Sequence, residues 1–214
     1  MVQKDTMLHF ILLGLAIIAF IISGIEPVSR FAWLGQVAAG SLLVGALVIL
    51  YPRFRFTSFA YVMAFLHVLL LVYAAHYTYS QTPLFNDLKE IFGWQRNHFD
   101  RVGHFAQGFF PAFLFKEVYY RGGFVRKGKM LRFIVILSCL GFSAFYELAE
   151  FAMVKILNVP ADDIMGTQGD FFDSHWDMLW ALIGAILSTL IFGPFHDRQI
   201  SRLEETHKTS PQKE

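Results

Sequence analysis

Six apolar stretches constrain this chain more than any other feature, at about 7–25, 31–51, 57–77, 98–120, 131–153 and 174–194. A helix needs about 20 residues to cross a bilayer, and each stretch is near that length. Backbone polar groups in hydrocarbon must be paired internally, so each stretch is expected to be a spanning helix. The expected fold is all-α: a polytopic six-helix bundle over residues 1–197, then a short, loosely ordered polar tail over 198–214. The first stretch could pass for a signal peptide, but its apolar run is too long and Ile21-Ile22-Ser23 is no small-x-small cleavage site.

Composition agrees with that frame. Of 214 residues, 55% are hydrophobic and 16% charged, against about 25% charged in soluble domains. Such a balance excludes disorder and argues against a soluble enzyme. The net charge of +1 sets up no field for nucleic acid. A single cysteine, Cys139, excludes a disulfide framework and a Cys-based zinc site.

Lysine and arginine placement gives the orientation. Six spans put both termini on one side, with thirteen Lys and Arg, and leave five (Arg30, Lys89, Arg96, Arg101 and Lys155) on the other. Both termini are therefore expected in the cytoplasm, with loops 78–97 and 154–173 outside. Trp33, Trp94 and Trp176 then fall at outer ends, where amphipathic rings suit the headgroup layer.

Ionisable residues within spans mark function by default, and they gather in the last three. Asp100 and His104 are one turn apart on one helix face, although Asn97 could cap that helix with Asp100 at N3. Glu147 and Glu150 share a face near a helix C-terminus, where the dipole disfavours anions. Asp170, Asp173 and Asp177 form one stripe if the last helix begins at Asp170. If it begins at Ser174, the first two belong to a Gly-rich turn. The topology brings all seven to similar depth in the outer leaflet. Six carboxylates together require protons, Arg101 or a cation. Carboxylates with one imidazole suit Mg²⁺, Mn²⁺, Ca²⁺ or Zn²⁺. The candidate metal ligands are Asp100, His104, Glu147, Glu150, Asp170, Asp173 and Asp177, with Glu147 and Asp177 also candidate general bases.

The run Asn97-His98-Phe99-Asp100-Arg101-x-x-His104-Phe105, the pair Glu147-x-x-Glu150 and the segment Gly169-Asp170-x-x-Asp173-Ser174-x-Trp176-Asp177-Met178 resemble the bacterial YjdF inner-membrane protein family. The chain is more distantly similar to VanZ-type membrane proteins, with Arg101 in place of their Lys and Glu150 near where they often have Gln. The resemblance implies a multi-pass protein of the bacterial inner membrane and, through VanZ, cell-envelope chemistry. Neither family implies an established reaction. Three classes stay open: a metal-dependent hydrolase or transferase acting on an amphiphilic envelope substrate, an ion-coupled transporter, and a non-catalytic protein with a structural cation site.

Overall fold

The computed structural model describes residues 2–159 and 161–209, and all regular structure among them is helical. The helices are α1 (Val2–Ser23), α2 (Arg30–Leu50), α3 (Ser58–Tyr77), α4 (Pro83–Phe92), α5 (Phe99–Phe109), α6 (Pro111–Arg121), α7 (Lys129–Leu157), α8 (Ala161–Met165), α9 (Asp173–Leu187) and α10 (Gly193–Thr209). A short 3₁₀ turn, Tyr79–Gln81, precedes α4. A π-helical turn, Ser188–Phe192, joins α9 to α10.

Among the described residues, five helices are long and apolar enough to cross a membrane: α1 from Asp5, α2, α3, α7 and the continuous α9–α10 rod to Glu205. Helix α1 begins before its apolar run and α7 outlasts its own, because hydropathy marks depth in a bilayer rather than the end of hydrogen bonding. The polar segment after Arg198, expected as a loose tail, is helical to Thr209 because it extends the last rod; residues 210–214 lie outside those described.

The stretch 98–120 is two eleven-residue helices, α5 and α6, meeting at Phe110-Pro111. Proline lacks the N–H that would continue the ladder, and it suits the first turn of a new helix. Each helix is about 16 Å long at 1.5 Å per residue. Together they still join the two ends of the bundle. Near the start of α5, Asn97 N–H donates to Gln168 Oε1 at 2.9 Å. At the end of α6, Arg121 donates to the Arg55 carbonyl at 2.8 Å.

Loop 78–97 is not open coil. Helix α4 starts on Pro83 and stops at Gly93, whose φ of +64° allows Trp94 N–H to reach back to Lys89 O at 2.9 Å. Its apolar side chains Leu84, Ile91 and Phe92 face outward. Thr78, at φ +62°, turns the chain so that Tyr79 folds against α5.

A close helix approach sets the site. A Cβ at Gly108 would lie 1.8 Å from the Ala181 carbonyl oxygen, and one at Gly184 would lie 2.2 Å from that of Phe105. Helices α5 and α9 therefore meet backbone to backbone, as small residues permit in membrane bundles. Around this crossing, buried Ala112, Leu131, Val135, Cys139 and Ala185 pack α6, α7 and α9 together. Phe56, Ala60, Tyr61 and Phe113 fill the seam between α3 and α6.

Candidate functional site

The α5–α9 crossing fixes which side chains meet at the end of the bundle that carries α4. One face of α5 presents Asp100, His104 and Gln107, and the facing side of α9 presents Asp173 and Asp177; all five are buried. The start of α5 is held by Asn97, whose Oδ1 accepts from Phe99 N–H at 3.0 Å. Its Nδ2 donates to Thr82 O at 3.1 Å and Asn86 Oδ1 at 2.8 Å. The cap position falls on His98, which makes no cap bond, so the expected cap at Asn97 with Asp100 at N3 is shifted by one residue, and Asn97 instead turns the chain into the helix. Helix α9 starts at Asp173 with Phe172 at its cap position, rather than at Asp170 or Ser174. The turn before it needs positive φ at Gly166, Gln168 and Gly169. That backbone aims the Gln168 amide, which also donates to Asn97 O at 3.0 Å.

One ligand atom from each of Asp100, His104 and Asp177 lies within 4.8 Å of the other two. Asp177 is 1% exposed. His104 Nδ1 lies 3.5 Å from Ser143 Oγ, and its Nε2 faces Glu147 Oε1 at 3.4 Å and Asp100 Oδ1 at 3.7 Å. Three carboxylate oxygens here, Asp100 Oδ2, Glu147 Oε1 and Asp177 Oδ1, are buried without a hydrogen-bond partner, as is Gln107 Oε1. Buried acceptors ordinarily have hydrogen bonds; here Glu147 Oε1 and Asp100 Oδ2 have only the longer ionic contacts to His104 and Arg96, at 3.4 and 3.7 Å. Glu150 is buried one turn further along α7 and feels the charges of Glu147, Asp100, Asp177 and Asp173.

Asp170 and Asp173 are occupied differently. Arg96 forms an ion pair with Asp173 and lies 3.5 Å from Asp170 and 3.7 Å from Asp100. Arg101 pairs with Asp170 at 2.7 Å, not with its neighbour Asp100. Two arginines therefore serve the acids, where sequence reasoning counted one. Arg96 precedes its helix and reads as a loop charge. Only the fold of residues 166–173 over it reveals its role, including its bond to the Thr167 carbonyl at 3.4 Å.

Aromatic groups close the cluster. Tyr79 rests on Gly103, where a Cβ would lie 2.5 Å from the Tyr79 ring. Burial, then nearby Tyr146, Asp100, Glu150 and Asp177, push the Tyr79 phenol well above its ordinary range, so it stays a proton donor. Tyr146 meets His104 edge-on at 6.1 Å and accepts from Gln36 of α2 at 3.3 Å. Trp176 is half-exposed beneath the Arg101 guanidinium at 5.4 Å. Trp33 is tied instead to Ser23 Oγ at 3.1 Å. His175, left out of the candidate set, is exposed.

The opposite end of the bundle holds a second buried polar group. Glu117 is fully buried and accepts from Thr57 Oγ1 at 2.6 Å, Thr57 N at 3.1 Å, His196 Nε2 at 2.8 Å and Arg121 at 2.6 Å. Lys116 beside it pairs with Asp197 at 2.8 Å. These contacts tie α3, α6 and α10 together, and they satisfy Glu117 in a way that Asp177 is not. An ionisable residue within the 98–120 stretch was the available signal for Glu117.

This chain resembles known proteins in sequence but matches no solved structure. It is 37% identical over 182 residues to the inner membrane protein YjdF of Escherichia coli (strain K12), covering 85% of this chain and 87% of that protein. Residues 8–198 match the family described as "Predicted membrane protein (DUF2238)", and the chain belongs to that family.

Proposed function

We propose that the protein is a multi-pass inner-membrane enzyme, a metal-dependent hydrolase or transferase acting on an amphiphilic envelope substrate. The observation that carries this reading is the set of Asp100, His104, Glu147 and Asp177, in which one oxygen of each carboxylate is buried without a hydrogen bond. In this reading α5 and α6 together form the sixth span. The end bearing Lys116, Arg121 and both described chain ends is cytoplasmic by the lysine and arginine bias, and the acidic cluster opens outward. The inner-membrane location follows the E. coli relative's name.

Asp100, His104 and Asp177 are the proposed ligands of a divalent cation. Donors on one such ion sit about 3–3.5 Å apart, so binding draws the three together from their 4.8 Å limit. Ser143 beside Nδ1 orients the imidazole, as outer partners of metal-bound histidines do. The ion supplies Lewis-acid polarisation of a phosphoryl or acyl oxygen. Glu147, beside His104 and not in the three-residue group, is the proton acceptor. Arg96 and Arg101 hold Asp173 and Asp170 in place behind it. The experiment is turnover of envelope lipid extract by the metal-loaded protein in nanodiscs, followed by mass spectrometry. Glu147→Gln is expected to keep its metal and lose turnover by about 10²-fold or more. Equal turnover by Glu147→Gln, or none by the parent, overturns the enzymatic reading.

A further inference from the structure

Beside the acidic cluster, at the same end of the bundle, lies an open depression of about 530 Å³ that shares Arg96 and Asp170 with it. Trp94, Arg96, His98, Arg101, Asp170 and Trp176 form its chemically distinctive lining. Two guanidinium groups in one depression are suited to a tetrahedral oxyanion, which they can grip by forked N–H pairs. Arg101 gives one guanidinium nitrogen to Asp170 and its face to Trp176, and its Nε has no partner. Arg96 Nε and Nη2 are buried and also lack hydrogen bonds, with Nη2 3.7 Å from Asp100 Oδ2, so an anion reaches them only as the Arg96 side chain turns toward the opening. His98 meets the edge of Trp94 at 4.9 Å.

The surroundings of the mouth identify what carries the anion. Helix α4 exposes Leu84, Ile91 and Phe92, and Trp94 stacks on Phe92 at 5.0 Å. Phe171, 89% exposed, and Phe172 directly follow the lining residue Asp170 in the chain. Charged donors in the lining, with exposed apolar residues next to lining residues along the chain, match a charged head joined to apolar chains. Trp94 and Trp176 at the rim suit the headgroup level of a bilayer, and α4 has the outward apolar face of an interfacial helix.

We propose that this depression binds the phosphate-bearing headgroup of a membrane amphiphile, with Arg101 as its main contact and Arg96 at its floor. This names the substrate class of the site proposed above and rests on that reading only for the reaction that follows binding. Arg96 links the two regions, because the same guanidinium borders the depression and lies 3.7 Å from Asp100. A headgroup held by Arg101 would thus sit next to the proposed cation ligands.

The test is binding to the full chain in an uncharged maltoside, with EDTA present so that no metal bridges the ligand. The probes are dihexanoyl phosphatidic acid, dihexanoylglycerol and inorganic phosphate. Phosphatidic acid is expected to bind about tenfold or more tighter than either of the others. Arg101→Gln is expected to weaken it about tenfold or more. Because that change strands Asp170, the double variant Arg101→Gln/Asp170→Asn removes both partners and is expected to show the same loss. Asp5→Asn, remote from the depression, is expected to bind phosphatidic acid as the parent does. Equal binding of dihexanoylglycerol and phosphatidic acid, or parental affinity in the double variant, overturns the proposal. Inorganic phosphate binding as tightly as phosphatidic acid overturns the lipid source.

Discussion

Gly108 and Ala181 bring the backbones of α5 and α9 into direct contact: a single added methyl on Gly108 would lie 1.8 Å from the Ala181 carbonyl oxygen. That contact sets the depth at which Asp100 and His104 of α5 face Asp177 of α9. Gly108→Ala is therefore expected to push the helices apart and destabilise the bundle by about 1–3 kcal/mol, as overpacking does. Gly141→Ala, on a glycine with open space around it, is the control and should change the thermal midpoint little. Thermal unfolding in detergent decides; equal midpoints for Gly108→Ala and the parent would contradict this packing.

Arg96 is the cation on which the buried acids near α9 depend. Arg96→Gln leaves Asp173 buried and unpaired, and breaking such a pair typically costs about 3–5 kcal/mol. The double variant Arg96→Gln/Asp173→Asn should recover a substantial part of that loss, because no charge is left alone. A double-mutant cycle on thermal midpoints measures the coupling. Strictly additive losses would mean that the two side chains do not interact.

At the other end, Glu117→Ala removes the acceptor of Thr57, His196 and Arg121. It is expected to destabilise the fold by about 3–5 kcal/mol while divalent-metal affinity stays at the parental value. Metal titration of folded Glu117→Ala protein checks this. A lost metal response in a folded sample would show that the two polar regions act as one.

The sequence made the spans legible where apolar length and helix coincide, as in α2 and α3. It also pointed to the buried acids, because Asp100 with His104 and Glu147 with Glu150 recur at helical spacing. What it left out depends on tertiary contact. Asp170 and Asp173 look like further members of the cluster until Arg96, distant in sequence from both, is seen lying between them. The break at Pro111 was visible as a residue but not as two separate helices. The close approach at Gly108 and Gly184 has no hydropathic signal, since glycine is nearly silent on that scale. Helix α4 was hidden because its ten residues are too short and too polar to register as a span.

Topology is the next expectation. Thirteen of eighteen lysines and arginines fall on the side assigned to the cytoplasm, and both described chain ends lie at that end of the bundle. A C-terminal reporter fusion should read cytoplasmic, and a fusion in the turn between α8 and α9 should read outside. The reverse pattern would place the acidic cluster on the cytoplasmic face and remove the argument for an envelope substrate.

The most direct test of the cation site is the response of thermal stability to chelation. A ligand that binds only the folded state stabilises it by mass action. EDTA should lower the midpoint of the detergent-solubilised parent, and Mg²⁺, Mn²⁺ or Zn²⁺ should restore it, with about one equivalent of metal per chain. Asp177→Asn should lose both the metal and the response, while Asp5→Asn, far from the cluster, should keep both. A parent protein free of metal, with a midpoint indifferent to EDTA and to added ions, would contradict the cation site and leave protonated carboxylates as the state of Asp100, Glu147 and Asp177.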